Sequence, residues 1–180
     1  MLDDFAMADN YPRFLQQEVA SRVPMKMKTD QLTWAWKKFT DLSTDELYKI
    51  IQLRERVFVI EQNCIYLDCD DKDRDAWHLF GVVDGKIHAY LRAFGPGLKY
   101  AEAAFGRVVT SPELRGTGLG RELTAAGIER IRAQFSGASI RISAQAYLQK
   151  FYESFGFVRV SDEYREDDIP HIPHIEMLLK

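Results

Sequence analysis

Cysteine is nearly absent from this chain: Cys64 and Cys69 are its only two in 180 residues. Their spacing is not C-x-x-C, and no cysteine–histidine cluster of zinc spacing lies near them, so neither a disulfide framework nor a structural zinc holds the fold and two reduced thiols are expected. Long apolar runs are missing too, since no stretch approaches the roughly 18 residues of a membrane span. The opening MLDDFAMADN is acidic where a secretory signal is basic. A cytoplasmic protein with no membrane partner is the expectation. A basic excess is also lacking: 24 Lys and Arg stand against 27 Asp and Glu, a net charge of −3, which argues against nucleic acid as a partner. Repeats and low-complexity tracts are absent. What remains, 46% apolar and 28% charged residues, is the profile of an ordinary globular chain long enough for one core.

Residues 1–30 read as an N-terminal extension. Asn10 caps a short helix with Pro12 in its first turn, Leu15, Val19 and Val23 fall four apart, and Pro24 stops it. Such an arm is a candidate for packing across a homodimer. Residues 31–180 read as a single domain. LTWAWKKF alternates, placing Leu32, Trp34 and Trp36 on one face of a strand. Ser43 with Glu46 forms a capping box, which predicts a helix from Thr44 toward Phe58. Asp84-Gly85 between two β-prone runs signals a hairpin, and AAFGRVVT follows as a third strand. A helix carrying Leu119, Leu123, Ile128, Ile131 and Phe135 on one side ends near Gly137. Ile140 and Ile142 alternate in a further strand, YLQKFYESF forms a short helix closed by Gly156, and residues 157–160 and 174–179 supply two last strands. The order β-α-βββ-α-β-α-ββ predicts an α/β (mixed α+β) fold with a central mixed, largely antiparallel sheet flanked by helices.

Two segments stand out from this pattern. EQNCIYLDCDDKDRD has no sustained period and six acidic residues, and reads as a solvated loop, or as a loop over a site whose Asp68, Asp70, Asp71, Asp73 and Asp75 meet a cationic ligand first. The alternate carboxylates share a calcium loop's spacing, but its sixth-position glycine and terminal glutamate are absent, and no metal is expected. The other segment is VVTSPELRGTGLGREL, with Gly116, Gly118 and Gly120 at alternate positions between a strand and a helix. Neither the dinucleotide fingerprint nor the Walker spacing is present. A turn without side chains lets backbone N–H groups converge, and the following helix adds its positive end, so an anion of pyrophosphate size is the natural occupant. Arg115 at the rim and Arg121 in the first helical turn add charge-assisted contacts.

The Arg-x-x-Gly-x-Gly segment resembles the acetyl-CoA signature of the GNAT superfamily of N-acetyltransferases, and AQAYLQKFYESFGF resembles that superfamily's second motif, a helix carrying a tyrosine ahead of Gly-Phe. LRERVFVIEQNCIYLDCDDKD and DDIPHIPHIEM resemble its ElaA-like branch, so the likeness runs from Trp34 to Met177. The resemblance implies an acetyl-CoA-dependent transfer to a primary amine, of a small molecule or a protein, by direct attack in a ternary complex. It implies that Val108, Val109 and Thr110 offer backbone groups to the pantetheine arm, with a backbone N–H near Val109 holding the carbonyl oxygen. It implies that Arg115, Gly116, Thr117, Gly118, Leu119, Gly120 and Arg121 wrap the pyrophosphate, and that Tyr152 protonates the departing thiolate. A phenol near pKa 10 is matched to a thiolate near 8.5.

An amine acceptor is protonated at neutral pH and needs a base. Glu61, which follows an apolar helical run, is the first candidate, because partial desolvation there raises a carboxyl pKa. Its alternative is a solvated helix-end carboxylate. His78 and His171 are further candidates on the acceptor side, and structural histidines are the competing reading. LRERVF followed by spaced aspartates also looks like the N-terminal signature of the acyl-homoserine-lactone synthases, but their following tryptophan is missing and the Arg-x-x-Gly-x-Gly loop is intact. A non-catalytic acyl-CoA-binding module is the remaining alternative.

Overall fold

The computed structural model describes residues 32–166 and 169–180, so the extension expected over 1–30, with its part in a homodimer, lies outside the described residues. Strand β1 (Thr33–Lys38) sets Trp34 and Trp36, with Leu32, against the main core as its alternation predicts. Helix α1 (Thr44–Arg54) begins at the expected box: the Glu46 N–H donates to Ser43 Oγ at 3.1 Å and the Ser43 N–H donates to the Glu46 carboxylate at 2.9 Å. The helix does not continue as α to Phe58. Glu55–Glu61 is wound as a π-helix, closed by the Gln62 N–H on the Val57 carbonyl at 2.9 Å. The wider turn delivers residues 61–66 to the sheet in a direction that a plain α-helix would not, and such turns gather at functional sites.

The remaining elements are β2 (Trp77–Val83), β3 (Lys86–Phe94), β4 (Ala103–Thr110), α2 (Leu119–Gln134), β5 (Ile140–Gln145), α3 (Gln149–Glu153), β6 (Val158–Arg159), β7 (Tyr164–Glu166) and β8 (Ile169–Leu179). Asp84 and Gly85 turn the β2–β3 hairpin with φ of +48° and +71°, the positive pair that its tight turn requires. Strand β7 is one more than the sequence pattern predicts. EYREDDIP offers charge and a proline in place of alternating apolar residues, which hid the strand. The sheet order is β1-β2-β3-β4-β5-β8-β6, with β7 also on β8. The β4–β5 pair is parallel and the other pairs are antiparallel.

Each face of the sheet carries its own cluster. Leu79, Leu91, Phe105 and Ile142 meet Leu119, Leu123 and Ile131 of α2 on one face, while Phe80, Tyr90 and Val109 meet Ile50 and Leu53 of α1 and Val57 of the π-helix on the other. The period-2 alternation of β2 and β3 makes this division. Helix α2 rides close on the sheet at Gly127, where a Cβ would come within 2.8 Å of Leu91 Cδ1.

The acidic segment is exposed at Asp71 and Asp75 as a solvated loop would be, but three of its aspartates are not solvated. Asp68 and Asp73 are buried, and so is Arg54, which has no exposed surface. Arg54 donates through Nε to Asp68 at 2.6 Å and through a terminal nitrogen to Asp73 at 2.8 Å. Arg92 of β3 reaches Asp73 at 2.8 Å and grips both oxygens of Asp70 at 2.6 and 2.8 Å. Arg107 of β4 donates to Asp68 at 2.6 Å. Burial opposes ionisation of Asp70 and Asp73, but the guanidiniums outweigh it, Arg92 and Arg107 at Asp70 and Arg54 and Arg92 at Asp73, and hold both carboxyls below the usual range. His78 completes the cluster, bonding the Tyr90 hydroxyl at 2.9 Å and the Asp73 carbonyl at 3.0 Å. Burial pushes His78 and His88 below the ordinary imidazole pKa.

These shifts give stability a two-stage acid dependence. Below about pH 6.5 the unfolded chain binds protons that the buried histidines refuse, so stability falls. Below about pH 4 the unfolded carboxyls take up protons that Asp70 and Asp73 resist, and stability falls again. Melting curves recorded from pH 7.5 down to pH 3 are expected to show both stages, with the first weakened in His78→Gln. Arg54→Met strips one guanidinium from two buried carboxylates and is expected to cost about 3 kcal/mol or more in chemical denaturation.

Candidate active site

Strands β4 and β5 pair only at Ala103–Ile140 and Ala104–Arg141, then part. The cause lies in β4. Arg92 of β3 faces Gly106 and Tyr90 faces Val109, so Arg107 and Val108 together stand opposite Leu91. This bulge puts Arg107 at φ +52° and bends the strand away from its neighbour. The gap is a cleft of about 210 Å³ walled by β4 from Phe105 to Val108 and by β5 from Ile142 to Gln145, with Tyr152 and His174 on its lining.

The glycine turn lies where β4 meets α2. Leu114 is buried and anchors it, and Thr117 Oγ1 donates to the Leu114 carbonyl at 2.7 Å. Gly116 and Gly118 adopt φ of +73° and +92°, and a Cβ on either would meet open space. The side-chain-free surface therefore faces outward for a ligand rather than inward for packing. Gly118 is the N-cap of α2 and supplies no side-chain acceptor, leaving first-turn N–H groups and the positive end of a 16-residue helix available to an anion. Leu119 is buried in the main core and locks the helix start, while Gly120 lies beside the Thr110 side chain at the end of β4. Arg121 lies 4.8 Å from the Phe155 ring centroid and donates to Ser154 Oγ at 2.8 Å, joining this turn to α3. Arg115 is held by both oxygens of Glu61, at 2.6 and 3.0 Å.

Tyr152 of α3 is 5% exposed and packed among Phe151, Phe105 and Phe157, with ring centroids 5.1, 6.2 and 5.9 Å away. Burial pushes its phenol above the ordinary value, so it stays protonated at neutral pH. A proton donor thus faces the cleft on the α2 side of the sheet.

A glycine turn at a helix N-terminus, a splayed parallel strand pair and a protonated phenol match a known architecture. Residues 79–178 match the model of the acetyltransferase (GNAT) domain. This chain belongs to the GNAT acetyltransferase family. It is 42% identical to a UPF0039 protein of Synechocystis over 81% of this chain and 95% of that one. It is 38% identical to the protein ElaA of Escherichia coli over 78% of this chain and 94% of that one. Among solved structures it is similar to an acyl-CoA N-acyltransferase from Pseudomonas aeruginosa, with a TM-score of 0.78 and 40% identity over 83% of this chain and 99% of that one.

Within this GNAT domain the candidates for the acceptor side fall in different places. Glu61 is not desolvated: its side chain is 40% exposed and engaged by Arg115, because the π-turn ends at the surface beside the glycine turn. His78 is fully buried in the aspartate–arginine cluster with both ring nitrogens bonded, away from the cleft lining. His171 is exposed, its Nε2 3.4 Å from the Gln62 carbonyl and 3.7 Å from Cys64 Sγ. Of the aspartates that suggested a cationic ligand, Asp68, Asp70 and Asp73 are bound to arginines instead, among them Arg54 of the LRERVF motif, while Asp71 and Asp75 are exposed. Sequence reasoning passed over His174 and Arg107. His-Ile-Pro-His was a signal for the first, since its two histidines are three apart and a strand sends them to opposite faces.

Replacing Gly118 by valine forces a β-branched residue to φ +92° beside the open ligand surface. The expected cost is about 1–2 kcal/mol of stability. CoA affinity is expected to fall by roughly tenfold, read by calorimetry and equivalent to about 1.4 kcal/mol. Unchanged affinity would remove the turn from the donor site.

Proposed function

We propose that this GNAT protein is a cytoplasmic enzyme that transfers an acetyl group from acetyl-CoA to a primary amine by direct attack in a ternary complex. The observation that carries this reading is the continuity of three features: the anion-binding turn, the β4–β5 gap beside it, and the buried Tyr152 phenol lining that gap. In this reading the pyrophosphate lies against residues 115–121, the pantetheine arm enters along Val108 to Thr110, and the thioester reaches the gap. The bulge takes the backbone of Arg107 and Val108 out of ladder register, whereas Val109 sits opposite Tyr90. Backbone donors for the developing oxyanion are therefore sought at the bulge, just before Val109. Tyr152 gives its proton to the leaving thiolate, and Arg115 exchanges Glu61 for phosphate as the donor binds.

The first test is a thermal shift with acetyl-CoA beside dephospho-CoA and NAD. A rise with acetyl-CoA that scales with concentration, as linkage requires, supports the reading, and no shift at millimolar ligand would sink it. Tyr152→Phe removes one hydroxyl without changing the packing. It is expected to lower kcat by about a hundredfold or more while leaving acetyl-CoA affinity intact. Thiol release measured across an amine panel checks this, and unchanged turnover would take Tyr152 out of the mechanism.

A further inference from the structure

The reaction needs a proton acceptor as well as Tyr152, and the sheet itself indicates where to look. On β5, Ile142 and Ala144 join the core with Tyr152, so by strand alternation Ser143 and Gln145 face the other side. His174 of β8 is the register partner of Gln145 and shares that face. The cleft therefore has Tyr152 on one face of the sheet and His174 on the other, with the β4–β5 gap between them. A thioester in that gap presents its leaving sulfur to one side and its open carbonyl face to the other.

His174 is 5% exposed and lines the cleft. Its Nδ1 lies 2.9 Å from the Ile172 carbonyl, a group that only accepts, so the proton is on Nδ1 and the lone pair is on Nε2. Nε2 has no hydrogen-bond partner among the described residues and is not a sealed orphan like His88 Nε2. The ring is steadied by Tyr164, 6.2 Å away between centroids, whose hydroxyl donates to Ser143 Oγ at 2.6 Å. The other candidates lack this arrangement: Glu61 is gripped by Arg115, and both nitrogens of His78 are taken.

We propose that His174 is the general base of the transfer, accepting the acceptor's proton at Nε2. The inference rests on the acetyl-CoA reading above. As the neutral amine attacks, the N–C bond forms and the C–S bond breaks. The proton shed by nitrogen goes to Nε2, the thiolate takes the Tyr152 proton, and water returns both side chains to their starting states. The titratable and charged groups around the imidazole are Cys64 and Tyr66 on the loop, Arg107 on β4 held by Asp68, Tyr147 and Tyr152 beyond β5, Tyr164 on β7, Lys99, and Glu176 along β8 held by Arg141.

The test compares the native chain with His174→Gln, using thiol release from acetyl-CoA with the best amine of the panel, or with water where no amine is used. The variant is expected to lose about a hundredfold in kcat at neutral pH, with CoA affinity and melting temperature retained. An unchanged kcat in the variant overturns the role of His174 alone. A native protein that binds acetyl-CoA yet releases no thiol overturns the transfer reading instead. Should the variant fold poorly, nitrogen NMR of the native chain decides: an Nδ1–H tautomer whose Nε2 resonance shifts on adding acetyl-CoA supports the role, and an imidazole indifferent to saturating acetyl-CoA overturns it.

Discussion

Three arginines and three aspartates, four of them buried and Arg107 and Asp70 half-buried, hold the parts of this domain in place. Arg54 ends α1, Arg92 lies on β3, Arg107 lies in the β4 bulge, and Asp68, Asp70 and Asp73 belong to the segment between α1 and β2. Taking such charges out of water is costly unless every partner is in place, so the cluster tolerates few arrangements. That intolerance is structurally useful. It pins an otherwise irregular segment against the sheet, and it tethers Arg107, a residue with a strained positive φ, by a 2.6 Å bond to Asp68. The bulge is what parts β4 from β5, so the cleft is supported by electrostatics from one face and by apolar packing of α2 from the other.

The two faces of the sheet also divide the chemistry. The glycine turn, the N-terminus of α2 and Tyr152 lie on the α2 side, where in the proposed transfer helix dipole and phenol serve an anionic donor and a leaving thiolate. The α1 side carries the π-turn, the aspartate segment and His174. In the proposed transfer, donor and acceptor approach the gap from opposite faces. The Arg115–Glu61 pair links the donor turn directly to the end of the π-turn, and hence to Gln62, whose side chain accepts from Gln145 across the cleft at 3.3 Å.

Much of the frame was legible because its signals are local. Ser43 and Glu46 form their box within one helical turn, Asp84-Gly85 meets the dihedral demand of one hairpin, and Gly116 and Gly118 occupy the positive φ values that the Arg-x-x-Gly-x-Gly turn implies. The aspartate segment was misread because its counter-charges come from far along the chain: Arg92 binds Asp70 from 22 positions away, and Arg107 binds Asp68 from 39. A run of acids with no visible partner looks solvated, and only the fold supplies the partners. Strand β7 was missed because it is an edge piece whose place is set by β8 rather than by its own alternation. The apolar run before Glu61 left a desolvated and a solvated carboxylate both open, and the π-turn that ends at the surface decides for the second.

The sequence by itself determined what periodicity and turn chemistry encode: the order of every strand and helix but β7, their buried faces, and a glycine turn of positive φ ahead of α2. Tertiary structure decided which ionisable groups are tied up in structural contacts and which keep a hydrogen-bonding atom unpaired at the cleft. His78 and His174 are both buried histidines on strands, yet one has both nitrogens bonded and the other keeps Nε2 without a partner at the cleft. That difference depends on a carbonyl, a hydroxyl and a strand register contributed by separate parts of the chain. Spacing along a sequence carries no record of them.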